Sequence, residues 1–203
     1  MTPMRMPRLL LMLASLLALS IAPAVAVAPG KAADPVQAFH AALLAAMQNA
    51  ASLGPRGRFE KLDPVIKHEF DVPFMAKLAI GPTWNHLNPD QKRAATDAFG
   101  RYITATYANE FDGYSGEQFK LLGETKIRHG VLVRTQLVKS DGEAIAFNYV
   151  VHDDDNAWQI RDIYLSGTIS QLATRRSEFA AILRTQGIDA LIAALNKKAD
   201  QLS

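Results

Sequence analysis

The run QFKLLGETKIRHGVLVRTQLVKSDGEAIAFNYVVHDDDNAWQIRDIYL, residues 118–165, changes the period of the chain and decides its fold class. Polar clusters at His129-Gly130, Ser140-Asp141-Gly142 and Asp153-Asp154-Asp155-Asn156 divide it into segments 118–128, 131–139, 144–152 and 157–165. Apolar residues alternate within these segments: Val131, Val133 and Leu137 with Thr135; Ile145, Phe147, Tyr149 and Val151; Trp158, Ile160 and Tyr164 with Asp162. Period two puts every second side chain on one face of a strand. Short polar loops join antiparallel neighbours. The stretch therefore predicts an antiparallel meander of about four strands with one apolar face.

Outward from the strands the period becomes helical. Asp34-Pro35 is set as an N-cap with proline at the first helical position, and Val36, Phe39, Leu43, Leu44 and Met47 predict a helix over 35–51. Gly54-Pro55-Arg56-Gly57 breaks the pattern, and a second helix is expected over 59–70. A short third helix follows Asp71-Val72-Pro73 and stops at Gly81-Pro82. Asn88-Pro89-Asp90-Gln91 carries the cap, the proline and the N3 glutamine of a strong helix start, running to about Phe111. After Gly167 one helix leads to a break at Gly187, and a last helix spans 188–198. Helices, a strand meander, then helices give an α+β fold: a curved antiparallel sheet packed against a helical layer. Such a layer pair leaves an apolar cavity wherever side chains do not fill the space between.

The N-terminus sets the compartment. Arg5 and Arg8 precede an uncharged apolar run, 9–21, and Pro23-Ala24-Val25-Ala26 supplies a small-x-small cleavage pattern. This is the layout of a secretory signal peptide over 1–26, its apolar run too short to span a bilayer. Residues 27–33 are expected as a linker and 34–203 as a single domain. An exported, periplasmic protein follows. Cysteine is absent, which removes disulfides and thiol chemistry. The formal net charge is +2, and the two leader arginines account for it, so the mature body is near neutral. A nucleic-acid binder would show a basic stripe, and nucleic acid is excluded as a partner.

Side chains that carry chemistry are sparse. His40, His68, His86, His129 and His152 form no i, i+4 pair, and no metal site is expected. No G-x-S-x-G elbow occurs, and the acidic run 153–156 is a solvated turn rather than a calcium loop. Asp162 stands in phase with Trp158 and Ile160. A carboxylate among apolar neighbours has a raised pKa and is a possible general base; the plainer reading is a structural acid bonded to nearby donors, including those of the final helix. Thr174-Arg175-Arg176-Ser177-Glu178 reads as a solvated helix face or as a basic rim at a pocket mouth.

An ordered series of motifs resembles a known family. Phe70-Asp71-Val72-Pro73-Phe74-Met75-Ala76, Leu78-Ala79-Ile80-Gly81-Pro82-Thr83-Trp84 and Leu87-Asn88-Pro89-Asp90-Gln91 are similar to the signature F-D-x-x-x-M-A, L-G-x-x-W-x-x-L-S-P-E-Q of MlaC, or toluene-tolerance, proteins. Phe111-Asp112-Gly113-Tyr114-Ser115-Gly116-Glu117, 131–135, 158–167, 175–179 and 187–192 continue the resemblance in order. The form at 173–179 looks more like the hopanoid-associated HpnM branch. Ile80 stands where the family often has Val or Leu, and Asn88 where Ser is common; Asn keeps the capping role.

The resemblance implies a periplasmic lipid carrier, not an enzyme, that works without a cofactor as a monomer. It would hold the acyl or apolar groups of a phospholipid or hopanoid in the cavity and exchange the lipid with an inner-membrane ABC transporter complex and an outer-membrane lipoprotein complex. Outer-membrane lipid asymmetry would be the process it serves. Cavity residues are then expected from both layers: Phe74, Leu78, Phe99, Ile103, Tyr107 and Phe111 from the helices, and Val133, Phe147, Tyr149, Trp158 and Ile160 from the sheet. The alternative is a small-cavity α+β enzyme with Asp162 as general base.

Overall fold

The computed structural model describes residues 31–154 and 157–203. The expected signal peptide, residues 27–30 of the linker and the Asp155-Asn156 turn lie outside the described residues. Lys31–Ala33 form a 3-10 turn with Ala32 and Ala33 buried. Then come α1 (Asp34–Gln48), α2 (Ala50–Glu69), α3 (Val72–Ile80), a 3-10 turn at Gly81–His86, and α4 (Pro89–Glu110). The strands are β1 (Gln118–Ile127), β2 (Gly130–Val138), β3 (Ala144–Asp154), β4 (Ala157–Leu165) and β5 (Ile169–Ser170), and α5 (Gln171–Leu202) closes the described chain. The sheet is an antiparallel meander in the order β1-β2-β3-β4-β5. Among the described residues no helix is long and apolar enough to cross a membrane.

Local chemistry explains most element ends. Asn88 and Gln91 form a reciprocal capping box at the start of α4. Asp71 accepts from the Phe74 amide at 3.1 Å and caps α3. Other expectations are corrected. Ala33, not Asp34, is the N-cap of α1, and it makes no side-chain cap bond. The expected break over 54–57 is a single kink at Gly54, after which the helix continues. The two-residue strand β5 was not foreseen.

Two bulges curve the sheet. Leu121 opposes Thr135 and Gly123 opposes Arg134, so Leu122 is an extra residue on β1. Val150 opposes Asp162 and Val151 opposes Ile160, which makes Arg161 the extra residue on β4. Each bulge bends its strand and changes the phase of alternation. Ile160 and Ile163 both face the core, while Asp162 moves to the opposite face with Tyr164. The expected in-phase set Trp158/Ile160/Asp162/Tyr164 is therefore split in two.

The helices cover the concave face. Phe39 of α1 sits at the centre, its ring 4.8 Å from Phe70, 5.0 Å from Tyr107 and 6.4 Å from Tyr149, all edge to face. Val36, Leu43, Leu62, Ile66, Val133 and Ile160 fill the space around it with no exposed surface. Arg58 of α2 is buried and donates to the carbonyls of Ala108 and Ala50 at 2.6 and 3.4 Å, tying α2 to the end of α4.

His40 adds a titratable group to this core. It shares a 2.9 Å hydrogen bond with Tyr149 and stacks on Phe119 at 3.9 Å. Burial lowers its pKa from 6.5 to about 3. The folded imidazole stays neutral, whereas the unfolded one takes up a proton below pH 6.5. The stability it contributes is complete above that value and is lost as pH falls towards the folded pKa, at up to about 1.4 kcal/mol per pH unit. Burial raises the carboxyl pKa of Asp162 and Glu110, which titrate in the opposite sense. The diagnostic quantity is thus a difference: thermal midpoints of wild type should fall more steeply between about pH 6.5 and 4 than those of His40→Gln. Parallel profiles would assign the acid sensitivity elsewhere.

Candidate functional site

Between α4, the first half of α5 and the β3–β4 end of the sheet lies an apolar cleft of about 560 Å³, counting its open mouth. The space enclosed within it is about 50 Å³, well below the roughly 300–1,000 Å³ of small-molecule sites. The helical wall comes from α4, where residues three and four apart share a face. Phe99, Ile103 and Tyr107 form one row, and Tyr102, Thr106 and Glu110 form the next. Met75 of α3 closes the base; Phe147, Ile163 and Leu165 form the sheet wall; Gln171, Leu172 and Arg175 of α5 form the third side. Behind this side Phe179 meets Phe99 and Tyr102 at ring distances of 6.3 and 6.4 Å, joining α5 to α4.

Polar groups in the lining are few. The Thr106 hydroxyl donates to the Tyr102 carbonyl at 2.8 Å. Burial pushes the Tyr102 and Tyr107 phenols up, so both remain neutral. Two charged groups stand at the rim. The Arg175 guanidinium lies 5.2 Å from the Tyr102 ring centre and donates to Glu178 at 2.8 Å. Glu110 is the last residue of α4, and partial burial raises its carboxyl pKa against the pull of Arg175. A second, more open depression shares Glu110, Phe147 and Leu165 with the cleft and continues past Phe111, Leu137 and Lys139.

Asp162 is not part of the cleft lining. Its carboxylate accepts from the Ile163 amide at 2.8 Å, the Leu172 amide at 3.2 Å and the Ser170 hydroxyl at 2.6 Å. Burial raises its pKa and these three donors oppose the rise. It fastens the start of α5 to β4, which is the structural role weighed against a catalytic one. The cleft itself presents no histidine, cysteine or serine, and its chemistry is that of burial.

Of the sequence-derived cavity residues, the structure brings Phe99, Ile103, Tyr107 and Phe147 together in the cleft. Phe111 lies in the adjoining depression. Val133, Tyr149 and Ile160 face inward but are fully packed in the core under α1. Trp158 is at the far end of β4, beside Lys67 and His68. Phe74 lies outside the cleft beneath the Arg161 guanidinium, 4.2 Å from its ring centre, and Leu78 is 40% exposed; Met75 takes the place in the lining. Ile163 and Leu165 escaped notice because the Arg161 bulge resets the phase. Arg175 belonged to the rim foreseen as one reading of 174–178.

A family model described as MlaC protein matches residues 37–197. The chain belongs to the MlaC family. A family relative from Haemophilus influenzae, named intermembrane phospholipid transport system binding protein MlaC, is 21% identical over 136 residues, 64% of this chain. The match spans 63% of that relative's own length. A phospholipid-binding protein from Ralstonia solanacearum, solved in complex with a phospholipid, superposes with a TM-score of 0.71 at 22% identity over 85% of this chain and 99% of its own. This likeness shows that the MlaC chain has the same α+β fold.

Proposed function

We propose that this MlaC-family chain is a periplasmic lipid carrier that holds phospholipid acyl groups in the cleft between α4, α5 and the sheet. The observation that carries the reading is the cleft: apolar, walled by both layers, with its few charges at the rim. Support comes from the phospholipid named for both the Haemophilus relative and the Ralstonia structure, and from the signal-like sequence before residue 27. Exchange with an inner-membrane ABC transporter complex and an outer-membrane lipoprotein complex completes the proposal. A hopanoid cargo rests only on the sequence form at 173–179.

Burying an acyl chain gains about 0.8 kcal/mol per methylene. The space enclosed in the cleft is about 50 Å³, too small for an acyl chain as it stands. Loading an acyl chain therefore requires the walls to part. The first half of α5 is the mobile wall: it meets the cleft through Leu172 and Arg175, and the helix is broken at Gly187, whose φ of 81° and ψ of −173° suit glycine alone. Beyond the break, Arg101 donates to Asn196 and Asp200, each at 2.8 Å, holding the second half of α5 on α4.

Native mass spectrometry of protein purified from the periplasm without detergent tests the reading. A phospholipid at near one-to-one stoichiometry is the expected result. A bare mass, from protein that also takes up no lipid from vesicles, would overturn it.

A further inference from the structure

We propose that the rim of the cleft selects a zwitterionic head group, Arg175 receiving the phosphodiester and Glu110 the ammonium. This rests on the carrier reading and names the class of lipid within it.

Arg175 is placed for an anion. Its ring stacking and its bond to Glu178 hold the guanidinium at the cleft rim. A guanidinium has five N–H donors, and among the described residues only Nη1 has a hydrogen-bond acceptor. A phosphodiester oxygen matches the fork of donors that remains.

Glu110 has no structural reason to be acidic. It ends α4, where the helix dipole is negative and a carboxylate is unfavourable. Among the described residues it makes no hydrogen bond or salt bridge, and Arg175 acts on it only through space. Both residues line one cleft, yet they are not an ion pair within 4 Å. A ligand with a positive and a negative group a few bonds apart answers both. The carboxylate and the C-terminal end of α4 attract the ammonium, and the guanidinium attracts the phosphate.

The neighbouring charges discriminate against other cargo. Glu178 adds negative charge beside Arg175, and Lys139 lies farther along the adjoining depression. A net-anionic head group such as phosphatidylglycerol meets Arg175 but leaves Glu110 without a cationic partner. An uncharged polycyclic lipid uses neither group.

The test is competitive loading. Delipidated mature protein is incubated with vesicles of equimolar phosphatidylethanolamine and phosphatidylglycerol with identical acyl chains, and bound lipid is extracted and quantified. Wild type should load phosphatidylethanolamine over phosphatidylglycerol by about threefold to tenfold, the range of one partly screened charge contact. Glu110→Gln, a near-isosteric change, should abolish the preference by lowering phosphatidylethanolamine loading to the level of phosphatidylglycerol. Arg175→Gln should lower loading of both lipids. Equal loading by wild type, or an undiminished preference in Glu110→Gln, would overturn the head-group proposal and leave the carrier standing. No loading of either lipid by folded wild type would overturn the carrier reading itself.

Discussion

Leu165→Trp should reduce lipid loading to below about a tenth of wild type while the protein stays folded. Leu165 ends β4, opposes Phe147 in the ladder, and lines both the cleft and the adjoining depression. An indole there projects into the space an acyl chain would occupy. Forcing bulk into a filled core costs about 1–3 kcal/mol. Leu165 is only half-buried and faces open volume, so the strain should fall at the low end. Vesicle uptake followed by lipid quantification measures the effect. Leu78→Trp serves as control, because Leu78 is exposed away from the cleft. Full loading by Leu165→Trp would place the cargo elsewhere. Bulk at Val133 gives no such test, since that side chain is sealed in the core and a larger one would attack the fold instead.

Gly130→Ala should damage stability more than any cleft variant. Gly130 opens β2 with a φ of 121°, and an added Cβ would lie 2.2 Å from the carbonyl oxygen of Val151. Two penalties coincide: backbone strain that only glycine avoids, and a clash with the neighbouring strand where Val131 pairs with Val151. A loss of roughly 3 kcal/mol or more is expected, a large part of the about 5–15 kcal/mol available to a domain. For a chain of this size that lowers the thermal midpoint by about 10 °C. Gly113→Ala provides the contrast, since nothing lies within 4 Å of its added Cβ. Thermal unfolding by circular dichroism decides. Equal midpoints for the two variants would mean that β2 does not begin against Val151 as described.

The legible parts of the fold were those specified by local chemistry. The capping box at Asn88 and Gln91, the break at Gly187 and the inward row Val133/Thr135 on β2 and Phe147/Tyr149/Val151 on β3 all follow from neighbouring residues. The illegible parts turn on a single extra residue. Arg161 has nothing in its identity that marks a bulge, yet it sends Asp162 away from the apolar face and brings Ile163 and Leu165 into the cleft. The short helix α3 posed a related difficulty. Phe74 and Leu78 are among its larger side chains, but Val72, Met75, Ala76, Ala79 and Ile80 are the ones buried. Size suggested the first pair; the closeness of α3 to α4 and α5 favours the slimmer face. Seven of the eleven expected cavity residues lie outside the cleft lining, Val133, Tyr149 and Ile160 because they are packed in the core, while Phe99, Ile103, Tyr107 and Phe147 fall within it.

The break at Gly187 divides α5 into two segments that are anchored differently. The C-terminal unit is anchored by Arg101 and by Ile188, Leu191 and Leu195 in the core. The N-terminal unit depends on Leu172, Phe179 and the Asp162 fastening. Opening free energies in a folded protein range from near zero to the global value, and a segment with few buried contacts sits low on that scale. On the carrier reading, detachment of the first segment would have its own rate, set apart from the rate of global unfolding. On the same reading, the protein would turn over its cargo many times within the lifetime of a single folded molecule.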